Sequence, residues 1–301
     1  MSTIITVNGL EQNIGVSSTV LTLSEKLNFY TKKSTCIVEL DYDNPTFSYI
    51  LEKAPIGTKN IDNLFPFIND NTVVDDNLLG IVTFNVQSFK NSNIDILYGS
   101  KKKAKFDSNQ LNTFIAALRQ KYENIVIDYG NKIIPDILMD NTDMNILIVQ
   151  PTNRYIESLS INRRDYINKK THLLINNNSK GTTEMSLLLK ERFKETEVLG
   201  QLPTSDNLIS NLLKGSINIE VGDYNKKLTK IALKICKYLS MEIKIKNSLT
   251  QKILSKTHER GEEVFIEEFE KLPLGEILIR ENICTKEEVD RCLKIQSRRL
   301  G

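Results

Sequence analysis

The chain has 301 residues, enough to bury a large core in one large domain or two smaller ones. Its composition, 40% hydrophobic and 26% charged with no tryptophan, is that of an ordinary soluble globular protein. A net charge of +2 supplies no global field for nucleic acid or an anionic membrane, and no segment approaches the roughly 20 apolar residues of a membrane span.

In chain order, Ile4–Val7 is a first apolar, β-branched run, and Val16–Tyr30 follows with apolar residues at helical steps. Thr35–Leu40 is a second run. Gly80–Phe84 and Ile94–Tyr98 come next, then a helix at Ser108–Tyr122 with Leu111, Phe114, Ile115 and Leu118 on one stripe. Asn124–Ile127, Asn145–Val149 and Thr171–Ile175 continue the strand series. Glu184–Phe193 reads as a helix, Val198–Leu199 as a short strand. Runs of this kind, apolar without clean alternation, fit strands buried on both faces. Their alternation with helices predicts a doubly wound, mostly parallel α/β sheet, whose ligands sit at the carboxyl ends of the strands.

After Gly215 the character changes. Tyr224–Leu239 reads as a helix with Lys230, Lys234 and Lys237 on its polar face. Residues 264–301 read as a small helical module, in which Thr285 and Glu288 form a capping box. The expected organisation is a domain over 1–240, a linker over 241–263 and the module over 264–301.

Four cysteines (Cys36, Cys236, Cys284, Cys292) lack metal-type spacing and fit free thiols in a reducing compartment. Cys284 and Cys292 admit a reading as a pair, but their apolar flanks favour burial on helices. His172 and His258 are far apart, which argues against a histidine metal site. The N-terminus lacks a basic region followed by an apolar run, so a cytoplasmic setting is expected. Lys101-Lys102-Lys103 with Lys105 is a charge run, and most such runs are solvated. Without interleaved aromatics it carries no strong nucleic-acid signal.

The connection after the first strand, Glu11-Gln12-Asn13-Ile14-Gly15-Val16-Ser17-Ser18, has the layout of a phosphate-binding loop but no lysine. The following helix N-terminus suffices for weak anion binding. On the loop alone, a plain strand–turn–helix connection is the simpler reading.

Set beside the rest of the chain, the loop resembles the deviant phosphate loop of the MinD/ParA family, typically lysine-glycine-glycine-x-glycine-lysine-threonine-threonine. Glu11 falls at the first lysine, Gln12 and Asn13 at two glycines, Val16 at the second lysine; Gly15 matches, and Ser17 and Ser18 keep the hydroxyls of the two threonines. Cys36–Asp43 resembles the family's second-strand motif, Tyr122–Asp128 its third, and Leu173–Asn177 its strand ending in asparagine. Val149-Gln150-Pro151, and Val198–Pro203 followed by Asp206, resemble two later segments. The resemblance implies a P-loop NTPase fold. It implies ATP or ADP held by Asn13, Gly15, Ser17, Ser18, Asp128 and Asn176, magnesium held by Ser17 and Asp128, and water positioned by Asp41. Homodimerisation through the loop face is also implied.

Within the family, the altered loop and the passage Asn93–Gly99 resemble the Tad-pilus localisation branch (TadZ/CpaE). Leu274–Leu278 with Ile283, Thr285, Val289, Leu293 and Gln296 resembles a unit from the N-terminal domains of type II secretion and type IV pilus assembly ATPases. Two such units bind cyclic di-GMP in some of those domains. Here Pro273 replaces the expected arginine and a second unit stops at Arg299-Leu300-Gly301, which argues against dinucleotide binding by the tail alone.

Charge neutralisation is the main catalytic device of phosphoryl transfer, and both signature lysines are missing. The expectation is a catalytically impaired ATPase relative acting as a dimeric localisation or regulatory scaffold for a pilus or secretion apparatus, recruited to the membrane or cell pole. The alternative is a slow ATPase, or a DNA-partitioning one, whose cation comes from Lys32, Lys33 or a partner subunit.

Overall fold

A computed structural model describes residues 2–51, 60–68, 79–80, 82–85, 94–99, 105–178, 183–206, 208, 210 and 222–244. The chain divides after Lys244, and the second unit, Ile245–Gly301, lies outside the described residues. With it lie the expected helical module over 264–301, Cys284 and Cys292. The lysine run at 101–103 is outside them as well.

The first unit is built on eight strands: β1 (Thr3–Gly9), β2 (Thr35–Glu39), β3 (Phe84–Asn85), β4 (Ile94–Leu97), β5 (Asn124–Asp128), β6 (Met144–Val149), β7 (Thr171–Asn178) and β8 (Val198–Pro203). They pair in the order β3-β4-β2-β5-β1-β6-β7-β8. Seven are mutually parallel; β3 alone runs antiparallel, against β4. Every residue of β2, β5 and β6 is buried, as expected for parallel strands covered on both faces.

The described helices are α1 (Val16–Thr31), α2 (Phe47–Ile50), α3 (Ser108–Lys121), α4 (Asp136–Asn141), α5 (Asn153–Ile161), α6 (Arg163–Tyr166), α7 (Thr183–Arg192) and α8 (Asp223–Tyr238). Leu111, Phe114, Ile115 and Leu118 of α3 bury against Ile4, Cys36, Val38, Ile125 and Ile127, together with Leu138 of α4. The period-two alternation of those strand residues assigns them to one face. The opposite face takes α1, which packs on β1, β2 and β5 and against α8. Asp107 caps α3: its side chain accepts from the Gln110 amide while Gln110 reaches back.

Among the described residues of the expected strand Gly80–Phe84, only Phe84 pairs in the sheet. Leu79, Gly80 and Val82 are helical, and the Thr83 amide donates to the Leu79 carbonyl at 2.9 Å; pairing begins only at Phe84. The run has strand-like composition, but five apolar residues do not distinguish a strand from the end of a buried helix.

The registers Val7↔Asp128 and Glu39↔Asp128 align the ends of β1, β2 and β5. The connections after these strands therefore emerge at one edge, where the sheet order reverses around β1.

Candidate functional site at the carboxyl edge of the sheet

The loop from Gly9 to Gly15 turns the chain from β1 into α1 through two left-handed residues, Asn13 (φ 61°) and Gly15 (φ 92°). Gly15 is the N-cap of α1, and no side chain caps that helix. The first-turn amides are left for something else, and the positive end of a 16-residue helix faces outward. The loop is braced from outside. The Asn176 side-chain amide donates to the Ile14 carbonyl at 2.7 Å, and the Gly9 amide donates to the Gly130 carbonyl at 2.9 Å.

Three carboxylates stand at this edge of the sheet. Asp128 is fully buried; its Oδ1 accepts the Gly130 amide at 2.8 Å, and its Oδ2 completes no hydrogen bond. Burial pushes its pKa up to about 6, offset in part by the Ser17 hydroxyl beside it. Glu39, 1% exposed, accepts the Phe47 amide at 2.8 Å, the Gly99 amide at 2.8 Å and the Thr46 amide. Burial, then the charge of Asp128, pushes Glu39 up to about 8, against the pull of those amides. Asp41 accepts the Asp43 and Asn44 amides at 3.3 and 3.2 Å on Oδ1. Its carboxylate also packs against Gly130, so closely that a Cβ there would collide with it.

The cations come from places the sequence reading did not consider. Lys132, on the connection after β5, places Nζ 2.7 Å from Asp43 and 3.5 Å from Asp41. Arg154 of α5 meets Glu11 at 3.1 Å. The expected replacements, Lys32 and Lys33, stand elsewhere: Lys32 is the C-cap of α1. A helix of that length puts them about 24 Å from its N-terminus.

These segments enclose a cleft of about 500 Å³. Of the residues singled out in the sequence, Asn13, Gly15, Ser17, Ser18 and Asp41 line it, with Val16 and Glu11 among them. Asp128 lies beneath Ser17, and Asn176 lies behind the loop with its amide engaged. Glu39, Thr46, Lys132 and Arg154 were missed. Glu39 alone left a signal, a charged residue inside the apolar run Cys36–Leu40, where an acid demands partners. Lys234, expected on the polar face of its helix, pairs with Glu197 at 2.8 Å. Among the described residues no three His, Cys, Asp or Glu side chains converge as a metal site, and no helix is long and apolar enough to cross a membrane.

Solved structures share this architecture. A plasmid partition protein from Borrelia burgdorferi B31 bound to AMPPNP superposes with a TM-score of 0.60 at 19% identity, covering 79% of this chain and 99% of that one. A ParA family ATPase from Chlorobium tepidum TLS gives 0.65 at 13% identity, covering 77% and 99%. The septum site-determining protein MinD from Pyrococcus horikoshii OT3, complexed with Mg-ADP, gives 0.62 at 17% identity, covering 81% and 100%. The fold is therefore that of the MinD/ParA P-loop ATPases. No protein-family model and no curated protein matches the chain.

Proposed function

We propose that this chain is a MinD/ParA-type nucleotide-binding protein that holds ATP or ADP at the end of β1, dimerises over that face, and serves as a localisation or regulatory scaffold with little hydrolysis. The observation that carries this reading is the loop itself. It keeps the left-handed turns and the uncapped helix start that suit an anion, yet Glu11 and Val16 stand where the resemblance calls for lysine.

The residues fit the absent groups in outline. The open amides of the first turn of α1 would hold phosphate, and the unsatisfied Asp128 Oδ2 beside Ser17 would face a magnesium ion. That ion would neutralise phosphate charge when bound. Hydrolysis is poorly served. Asp41, the water-positioning candidate, has Oδ1 taken by two amides and Lys132, and the carboxylate lies against Gly130. Glu11 is neutralised by Arg154, which leaves neither charge free for phosphate.

A slow ATPase is the second reading, and one observation favours it: Lys132 Nζ lies 3.5 Å from the cleft-lining carboxylate of Asp41. Dimerisation is supported by Tyr49, 83% exposed at the cleft rim, and by Ile133, 51% exposed on the connection beside it. A pilus or secretion partner rests on the sequence resemblances of 93–99 and 264–301.

The test is a fluorescent-ATP titration with phosphate release measured on the same sample, and sedimentation with and without nucleotide. Micromolar binding, turnover near background and a nucleotide-dependent dimer are expected. No binding at millimolar nucleotide would leave a purely structural scaffold.

A further inference from the structure

Thr46 occupies the N-cap of α2, where a threonine hydroxyl ordinarily accepts a helix amide. Here it caps nothing. Glu39 takes over that work, accepting the backbone amides of both Thr46 and Phe47. The hydroxyl thus released turns to α1 and donates to Ser17 Oγ at 2.9 Å.

That separation has a geometric meaning. Two oxygens on adjacent corners of an octahedron with arms of 2.0–2.1 Å, the magnesium geometry, are about 2.9 Å apart. The same spacing serves the hydroxyl–hydroxyl hydrogen bond seen here, so the two oxygens already stand at a separation that one cation could share. Asp128 lies beside Ser17, fully buried; the Ser17 hydroxyl is near enough to pull its pKa down, but Oδ2 completes no hydrogen bond of normal geometry. A buried carboxylate oxygen without a donor is costly, and a cation or its bound water would relieve that cost. Among the described residues neither Glu39 nor Asp128 has an ion-pair partner; Lys132 is held by Asp41 and Asp43.

We propose that Thr46 is a direct ligand of the divalent cation in this cleft, shared with Ser17 and backed by Asp128, and that Glu39 is the positioning residue that frees and aims its hydroxyl. This rests on the nucleotide-binding reading above. Glu39 is not a ligand, because its oxygens are spent on three backbone amides. Three protein oxygens are too few to hold magnesium alone, so waters and phosphate oxygens complete the shell and the cation enters with the nucleotide.

The experiment titrates a fluorescent ATP analogue into the full chain with and without millimolar magnesium, the magnesium-free affinity serving as each variant's own reference. Wild type and Thr46→Ser are expected to bind about tenfold tighter with magnesium, and Thr46→Val to lose most of that gain. With manganese and AMPPNP, water-proton relaxation should report one additional metal-bound water in Thr46→Val. A full magnesium gain in Thr46→Val with an unchanged water count overturns the assignment, as does a wild type that binds nucleotide but gains nothing from magnesium. Absence of nucleotide binding by wild type under either condition overturns the nucleotide reading itself, a distinct result.

Discussion

The side-chain amide of Asn176 donates to the carbonyl of Ile14 at 2.7 Å, so a buried residue of β7 holds the loop between β1 and α1 from behind. The same amide lies where a Cβ on Gly15 would have to go. The sequence resemblance assigns Asn176 to the base of a nucleotide; the contact assigns it to the shape of the loop, and the two roles make different predictions.

If bracing is its work, Asn176→Ala should cost about 1–3 kcal/mol of stability, the value of a buried carbonyl left without its donor. Asn176→Asp should cost more, because a carboxylate would then face that carbonyl. Urea unfolding measures both. A base-reading role would instead leave the unfolding midpoint in place and reduce the preference for adenine over guanine nucleotides.

Gly130 makes the matching contact on the other side of the cleft. It adopts φ +66°, and a Cβ there would enter the Asp41 carboxylate. Gly130→Ala should therefore add a backbone cost of about 1–2 kcal/mol to the cost of displacing Asp41. We expect a clear fall in the urea midpoint, and loosened coupling between Asp41 and Lys132. A midpoint shift below about 0.5 kcal/mol would show that Asp41 is not seated against this glycine.

How much of this was legible in the sequence depends on whether the cause was local. The strands β1, β2, β5 and β6 announce themselves, because strands buried on both faces need continuous apolar runs. Gly80–Phe84 has the same look and is mostly a helix end, because so short a run carries no period. Ser17, Asp41 and Asp128 could be placed by their position just after a strand or at a helix start. Thr46, Lys132 and Arg154 could not, since their partners Ser17, Asp43 and Glu11 lie on other connections and only the parallel register brings those connections together.

Glu39 carries a pH dependence. Its pKa rises in the folded chain from 4.5 to about 8, chiefly through burial and next through the charge of Asp128. The folded state therefore binds this proton more tightly than the unfolded chain. The resulting stability is complete below about pH 4.5 and is lost as pH rises toward 8. Asp128, raised from 3.8 to about 6, contributes only to the lower part of that window. In the absence of nucleotide and divalent cation, the urea midpoint should fall between pH 6 and pH 8, and Glu39→Gln should flatten that slope. An unchanged slope in Glu39→Gln would locate the titration elsewhere.

The electrostatics of the loop can be tested by putting back what it lacks. Val16 is 6% exposed and lines the cleft in the first turn of α1, so a lysine there would extend into the space a phosphate needs. One added cation at about 4 Å from an anion is worth up to about 4 kcal/mol at the effective dielectric of a partly open site. Val16→Lys should tighten ATP at least tenfold and make the affinity steeper in salt. Lys132→Met should act in the opposite sense, weakening ATP several-fold, because Lys132 is the cation nearest the cleft-lining Asp41. Glu11→Ala should tighten ATP several-fold at low salt, since it removes a cleft-lining acid and releases the Arg154 guanidinium paired with it. If Val16→Lys bound ATP no better than wild type, the loop would have lost its phosphate-binding shape along with its lysines, and the cleft would be a docking surface without a nucleotide.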